Sequence, residues 1–214
     1  MSGSERGYFI VLEGLDGSGK SALSLRLTQT LSARLGGDRV LHTFEPKDSA
    51  VAGEYIRAIL GKRIVTTART LALAFALNRA DHNERVMAPF VADHPHGVIL
   101  CDRYLMSSLV YQTGGDVMTE EVLLLNRTAR TPDLTVFLDA SPETCYARIG
   151  ARGGERELYE VRLAETRAKY LEVITFLRGR DETILIVDAN SDIETVAAAL
   201  IAAIDAHSPP WMQG

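Results

Sequence analysis

Residues 14 to 21 read Gly-Leu-Asp-Gly-Ser-Gly-Lys-Ser, a complete G-x-x-x-x-G-K-[ST] spacing directly after the apolar run Tyr8-Phe9-Ile10-Val11-Leu12. A strand before and a helix after is the context in which such a loop binds phosphate. Backbone N–H groups of Gly14, Leu15, Asp16, Gly17, Ser18 and Gly19 can converge on phosphate oxygens. Lys20 supplies a point charge for the β and γ phosphates, and the Ser21 hydroxyl can ligate Mg²⁺. These residues imply a nucleoside triphosphate site.

The elements that must position this loop follow from hydrophobic periodicity. Apolar runs at about 8 to 13, 39 to 44, 98 to 101, 134 to 139 and 183 to 188 alternate with helical patterns. This predicts an α/β fold with a five-stranded parallel sheet covered by helices on both faces. Four runs finish on or beside an acid, Glu13, Asp102, Asp139 and Asp188. Ligands of open α/β sheets bind beyond the carboxyl ends of strands, so these acids mark the expected active edge. The first helix carries Leu23, Leu27, Leu31 and Leu35 at four-residue spacing and stops at Gly36-Gly37, which predicts a core-facing stripe. A longer helix over about 67 to 93 presents Leu71, Phe75, Asn78, Arg79 and His82 on neighbouring faces, and a Ser191-x-x-Glu194 box is expected to cap the last helix. The three glycines and three arginines of residues 148 to 156 predict a hinged lid over about 148 to 158.

With 214 residues, the chain is expected to form one domain, with loose ends at 1–7 and 208–214. No apolar run approaches the roughly 20 residues of a membrane span, and the start Met-Ser-Gly-Ser-Glu-Arg carries no apolar signal region, which predicts a cytoplasmic protein. The net charge of -5 argues against binding a nucleic-acid polymer. Cys101 and Cys145 have no metal-binding spacing and read as buried free thiols.

Among phosphate-loop proteins, a GTPase needs a guanine-reading Asn-Lys-x-Asp segment and an ABC-type ATPase a Ser-Gly-Gly signature. Neither occurs here. The arginine-rich, glycine-hinged segment instead favours a small-molecule kinase, whose lid excludes water from the transferring phosphoryl group.

The blocks Glu13-Gly-Leu-Asp-Gly-Ser-Gly-Lys20, Glu45-Pro46, Phe75-Ala-Leu-Asn-Arg79, Asp102-Arg-Tyr-Leu-Met-Ser-Ser-Leu-Val-Tyr-Gln112, Pro132-Asp-Leu-Thr135 and Tyr159-Glu160 occur in this order over residues 8 to 190. Together they resemble the thymidylate kinases. The resemblance implies a nucleoside monophosphate kinase fold, transfer of the γ-phosphoryl group of ATP to dTMP with Mg²⁺, and a homodimer. It implies that Asp16 and Glu45 face the acceptor nucleotide and that Arg57 and Arg103 grip its phosphate. By the same likeness Phe75 stacks on thymine, Arg79 donates to its O4, Ser108 and Gln112 lie near the base edge, and Tyr111 lies against the sugar; Ser107 is a further candidate for the substrate site, or part of a solvated helix face. Asp102 and Glu160 are implied to reach the metal and Tyr159 to close the nucleotide site. The phosphate loop has no arginine, so the sequence resembles the lid-arginine type: Arg148 against adenine, and Arg152 or Arg156 neutralising transition-state charge.

Other readings of single residues stay open at this point. Asp102 could cap a helix, Arg103 could pair with Asp102 or Glu13, and each lid arginine could be a solvated helix charge. A broader deoxynucleoside monophosphate kinase, and a catalytically silent nucleotide-binding switch, are the competing functions.

Overall fold

The computed structural model describes residues 7–47, 51–152 and 162–213. Five parallel strands, β1 (Tyr8–Gly14), β2 (Val40–Phe44), β3 (Val98–Asp102), β4 (Leu134–Asp139) and β5 (Ile184–Asp188), form one sheet in the order β2-β3-β1-β4-β5. Around it lie α1 (Lys20–Leu35), α2 (Val51–Leu60), α3 (Ala68–His82), α4 (Ala88–Asp93), α5 (Leu105–Tyr111), α6 (Thr119–Leu125), α7 (Pro142–Arg152), α8 (Leu163–Arg178) and α9 (Ile193–Asp205). Central β1 is apolar without alternation because both of its faces are covered. Ile10 and Leu12 join a core with Leu23, Leu27 and Leu31 of α1, whereas Phe9 and Val11 pack with Ile99, Cys101, Met87 and Tyr104.

The register aligns the strand ends into one rim. Leu12 and Phe44 both pair with Asp102, Gly14 with Leu138, and Asp139 with Asp188. Among the described residues, the phosphate loop, Asp102 and Arg103 sit at or directly beyond this rim, as the acid-terminated runs predict.

Four expectations change. The long helix of 67 to 93 is α3 capped by Thr67, which accepts from Thr70 N at 3.1 Å, then a π-helical turn at Asn83–Met87, then α4. Pro89 has no N–H to donate back to Arg85, and the hydrogen-bond ladder widens just ahead of it. The cap of α9 is Asp192 and not Ser191, because its Oδ1 accepts from both Glu194 N and Thr195 N at 3.0 Å. Gly150 is not a break between helices, since α7 runs through it to Arg152, and the rest of the expected lid lies outside the described residues. The C-terminal tail is docked rather than loose. Its residues Pro210–Met212 form a 3-10 turn, with Met212 buried and the Trp211 ring 5.3 Å from that of His96.

Candidate active site

The phosphate loop bridges β1 and α1, and its glycines are required by geometry. Gly17 has φ 85°, and a Cβ there would lie 2.5 Å from Cys145 O of α7, so the loop is seated directly on that helix. Gly19, with φ 95°, turns the chain into α1. Gly14, Leu15 and Ser18 support the loop. Lys20 Nζ donates to Gly14 O at 3.0 Å and to Leu15 O at 2.7 Å, and Ser18 is buried beneath. Lys20 itself is buried, 3.9 Å from Asp16 Oδ1. Its pKa is lowered to about 8, first by burial and then by the Arg103 charge, against the opposing pull of Asp16, Glu13 and Asp102.

That shift has a testable sign. A phosphate needs the ammonium form, so nucleotide binding must restore a proton to any neutral Lys20. ATP affinity is expected to be flat below about pH 8 and to weaken by up to about tenfold per pH unit above it. Calorimetry in two buffers of unlike ionisation enthalpy should find little proton uptake near neutrality and close to one proton at about pH 9. Uptake that does not rise with pH would refute the assignment.

Ahead of the loop lies a space of about 330 Å³ lined by Asp16, Gly17, Gly19, Lys20, Ser21, Asp102 and Arg103, with His42, Phe44 and Glu45. The Asp102 carboxylate accepts from Ser24 Oγ, and His42 Nε2 stands 3.8 Å away. The residue that precedes α5 as its N-cap is Tyr104, so the helix-cap reading of Asp102 does not hold. Among the described residues no cluster of three His, Cys, Asp or Glu side chains could hold a metal alone. What this space offers is hard oxygen: the Ser21 hydroxyl and the Asp16 and Asp102 carboxylates. Such a donor set fits Mg²⁺ that keeps waters and shares its shell with nucleotide phosphates.

Arg103 joins this space to a second one. It follows β3 with φ 64°, its N–H donates to Leu12 O at 2.9 Å, and its guanidinium pairs with Asp16. The pairings with Asp102 and Glu13 weighed from sequence are therefore replaced by Asp16. Nη1 also donates to Ser107 Oγ at 3.2 Å and Tyr170 OH at 3.1 Å, and the guanidinium lies over the Tyr111 ring. Burial acts to lower the Arg103 pKa, but Asp16, Tyr111, Tyr170 and Glu13 outweigh it and hold the group cationic. Glu13 is occupied elsewhere: it accepts from Tyr104 N, Ser107 N, Ser107 Oγ and Tyr170 OH at 2.6–3.1 Å. It thereby closes the start of α5 under the active rim.

The second space, of about 200 Å³, is lined by Arg57, Phe75, Arg79, Arg103, Tyr111 and Gln112, together with Asp16, Glu45 and Ser107. Phe75 and Arg79, one helical turn apart on α3, both face it, as their spacing predicts. Arg79 is 1% exposed and held by acceptors: Nε to Glu45 at 2.8 Å, one Nη to Asn126 Oδ1 at 2.5 Å and the other to Ser108 Oγ at 3.0 Å. Gln112 Oε1 is buried with no hydrogen-bond partner. Such an orphan acceptor in a cavity wall is built for a ligand donor.

Two expected contacts move. Ser108 does not line the pocket and its hydroxyl serves Arg79, while the Ser107 hydroxyl is committed to Glu13 at 2.6 Å. Arg148 crosses from α7 to Ala189 O at 2.9 Å, Ser191 O at 2.8 Å and Ser18 O at 3.3 Å, tying the phosphate loop to the exit of β5. Arg152 is the last residue of α7, and Arg156, Tyr159 and Glu160 lie outside the described residues. Asn126 and Tyr170 escaped sequence reasoning. They belong to no motif, and a tyrosine in an apolar helical stripe reads as core.

The thymidylate kinase family model matches residues 12–200. A thymidylate kinase of Bacillus cytotoxicus is 35% identical over 213 residues, covering 94% of this chain and 98% of the relative. A probable thymidylate kinase of Pyrococcus horikoshii is 32% identical over 203 residues, covering 93% and 96%. The solved thymidylate kinase of Candida albicans superposes with a TM-score of 0.75 at 25% identity, covering 94% of this chain and 92% of that one. That of Ehrlichia chaffeensis, at 23% identity and a TM-score of 0.70 over 94% and 99%, shares the fold. With a phosphate loop that opens through Arg103 onto a second, base-sized pocket, and with a match over most of its length, this chain belongs to the thymidylate kinase family.

Proposed function

We propose that the two connected spaces are the donor and acceptor halves of one active site in which the γ-phosphoryl group of ATP passes to dTMP, giving dTDP and ADP. The observation that carries the acceptor assignment is the pairing of a fixed donor with an orphan acceptor beside a flat ring. Arg79 presents N–H groups, Gln112 Oε1 lacks a partner, and Phe75 supplies the wall. Thymine offers the complement, an O4 acceptor and an N3 donor on a planar ring. Arg57 and Arg103 neutralise the acceptor phosphate, Lys20 holds the donor phosphates, and Tyr111 flanks the sugar.

Phosphoryl transfer leaves the protein positioning and charge stabilisation rather than covalent chemistry. Ser21, Asp102 and Asp16 hold the Mg²⁺, with Glu160 joining them; the ion supplies charge neutralisation for the phosphate oxygens. Arg148 keeps its in-plane bonds to Ala189 O, Ser191 O and Ser18 O and offers the face of its guanidinium to adenine, Arg152 and Arg156 bring cations to the phosphoryl group in flight, and Tyr159 closes the rear of the site. Leu73 and Leu77 expose one face of α3, with Leu124 of α6 and Val51 of α2 also exposed, and this apolar surface supports a homodimer. No helix among the described residues is long and apolar enough to cross a membrane. This accords with a cytoplasmic enzyme acting on soluble nucleotides.

Turnover of a monophosphate panel with ATP and Mg²⁺ tests the reading. Cytosine places an amine where Arg79 also donates, so dCMP is expected to be a very poor substrate, with unpaired buried groups costing about 1–3 kcal/mol or more. Losing only the C5 methyl is expected to lower kcat/KM for dUMP by about 10- to 200-fold. Purine monophosphates are excluded by pocket size. Comparable kcat/KM for dTMP and dCMP would favour the broader kinase, and no ADP release with any monophosphate would favour the silent switch.

A further inference from the structure

The strongest unassigned feature is a buried polar chain behind the base pocket. It runs from Asn126 at the end of α6 through Arg79 and Glu45 to His82 and Thr43 on β2. Neither Asn126 nor His82 lines the pocket, yet both are buried and fully engaged. Arg79 has five N–H groups. Glu45, Asn126 and Ser108 take three of them, leaving one N–H on each terminal nitrogen. The guanidinium also lies over the Tyr104 ring at 4.9 Å. It is therefore fixed in plane and direction before any base arrives.

Its chief acceptor is fixed in turn. His82 Nδ1 is 3.0 Å from Glu45 Oε1, and His82 Nε2 is 2.8 Å from Thr43 Oγ1. A carboxylate facing Arg79 can only accept, so Nδ1 carries a proton toward Glu45, while Nε2 shares a hydrogen bond with the Thr43 hydroxyl. The Thr43 oxygen accepts in turn from Lys47 Nζ at 3.3 Å. At the far end, Asn126 Nδ2 donates to Val122 O at 2.8 Å, which leaves its Oδ1 turned to Arg79.

We infer that Asn126 and His82 are positioning residues that set base specificity from behind the pocket, by denying the Arg79 guanidinium any freedom to turn away from a base. The inference rests on the reading that Arg79 meets the base edge. A mobile arginine could swing aside from the cytosine amine and still meet thymine O4 part of the time. A clamped one rejects cytosine because two donors are forced together in a buried site. Rejection of the wrong base thus comes from rigidity as much as from contact.

The test uses the full-length enzyme with Ser108→Ala, Asn126→Ala, His82→Leu, His82→Asn and Arg79→Gln. In Asn126→Ala and His82→Leu, kcat/KM for dTMP is expected to fall by about tenfold, the worth of one hydrogen bond to a charged group, while that for dCMP stays level or rises. His82→Asn keeps a donor toward Glu45 and is expected to recover part of the discrimination. Ser108→Ala, which removes one acceptor with little threat to folding, should shift the dTMP to dCMP ratio in the same direction. Nitrogen NMR of the ligand-free enzyme gives a readout independent of turnover. His82 should show a proton on Nδ1 shared with Glu45, and the separate Nη resonances of Arg79 should merge in Ser108→Ala and Asn126→Ala. Equal losses for dTMP and dCMP, with Arg79 resonances still separate, would mean a merely structural role and overturn the inference while base reading by Arg79 stands. A ratio unchanged in Arg79→Gln would overturn both.

Discussion

Replacing Lys20 by alanine is expected to lower kcat by about 10³-fold or more while the chain keeps its fold. At a wet surface the change would remove only a screened charge. The structure gives a stronger reason. The ammonium is buried, aimed between Gly14 O and Leu15 O, and desolvated enough to bring its pKa to about 8. A cation already stripped of water acts at full strength on phosphate oxygens and needs no rearrangement when charge moves. The same burial explains why the fold should tolerate the change, since holding the charge there costs stability rather than contributing packing. Melting followed by circular dichroism, beside single-turnover rates with ATP and dTMP, checks both halves. Retention of more than about a tenth of wild-type turnover would remove Lys20 from the transition state.

The sheet and the phosphate loop were legible because local chemistry dictates them. Apolar runs bounded by acids became strands ending on one rim, and three glycines in eight residues can hardly be anything but a tight turn. The Phe75/Arg79 spacing worked for the same reason, since residues one turn apart on a helix must share a face. What stayed hidden depends on long-range partners. Asp16, 87 residues before Arg103, is chosen as its partner only because the register of β1 and β3 sets the two strand ends side by side. The actual partners of Ser107 and Ser108 could not be read from a helix pattern, because Glu13 and Arg79 reach them from other elements. The placing of the α9 cap failed by one residue since Ser191 and Asp192 are both good caps, and the carboxylate that can take two N–H groups prevails.

Arg103 carries the second large effect, and its backbone makes the prediction unusually specific. It lines both spaces and is tied at once to Asp16, Ser107 and Tyr170, so its charge stands where donor and acceptor phosphates must meet. An arginine in such a place contributes about 10³ to 10⁵ in rate, and removing it is expected to lower kcat by that order. Lysine should rescue little, because a point charge cannot reproduce the planar fork that reaches three partners. The φ of 64° separates this functional charge from mere structure. A left-handed conformation costs a side-chain-bearing residue about 1 kcal/mol that glycine does not bear. Arg103→Gly and Arg103→Ala should therefore be equally inactive, since both delete the guanidinium, yet the glycine variant should be the more stable of the two by about 1 kcal/mol in denaturant unfolding. Equal stability would mean that the strand-end geometry is not as described, and activity in either variant would mean that another cation, not Arg103, bridges the two phosphates.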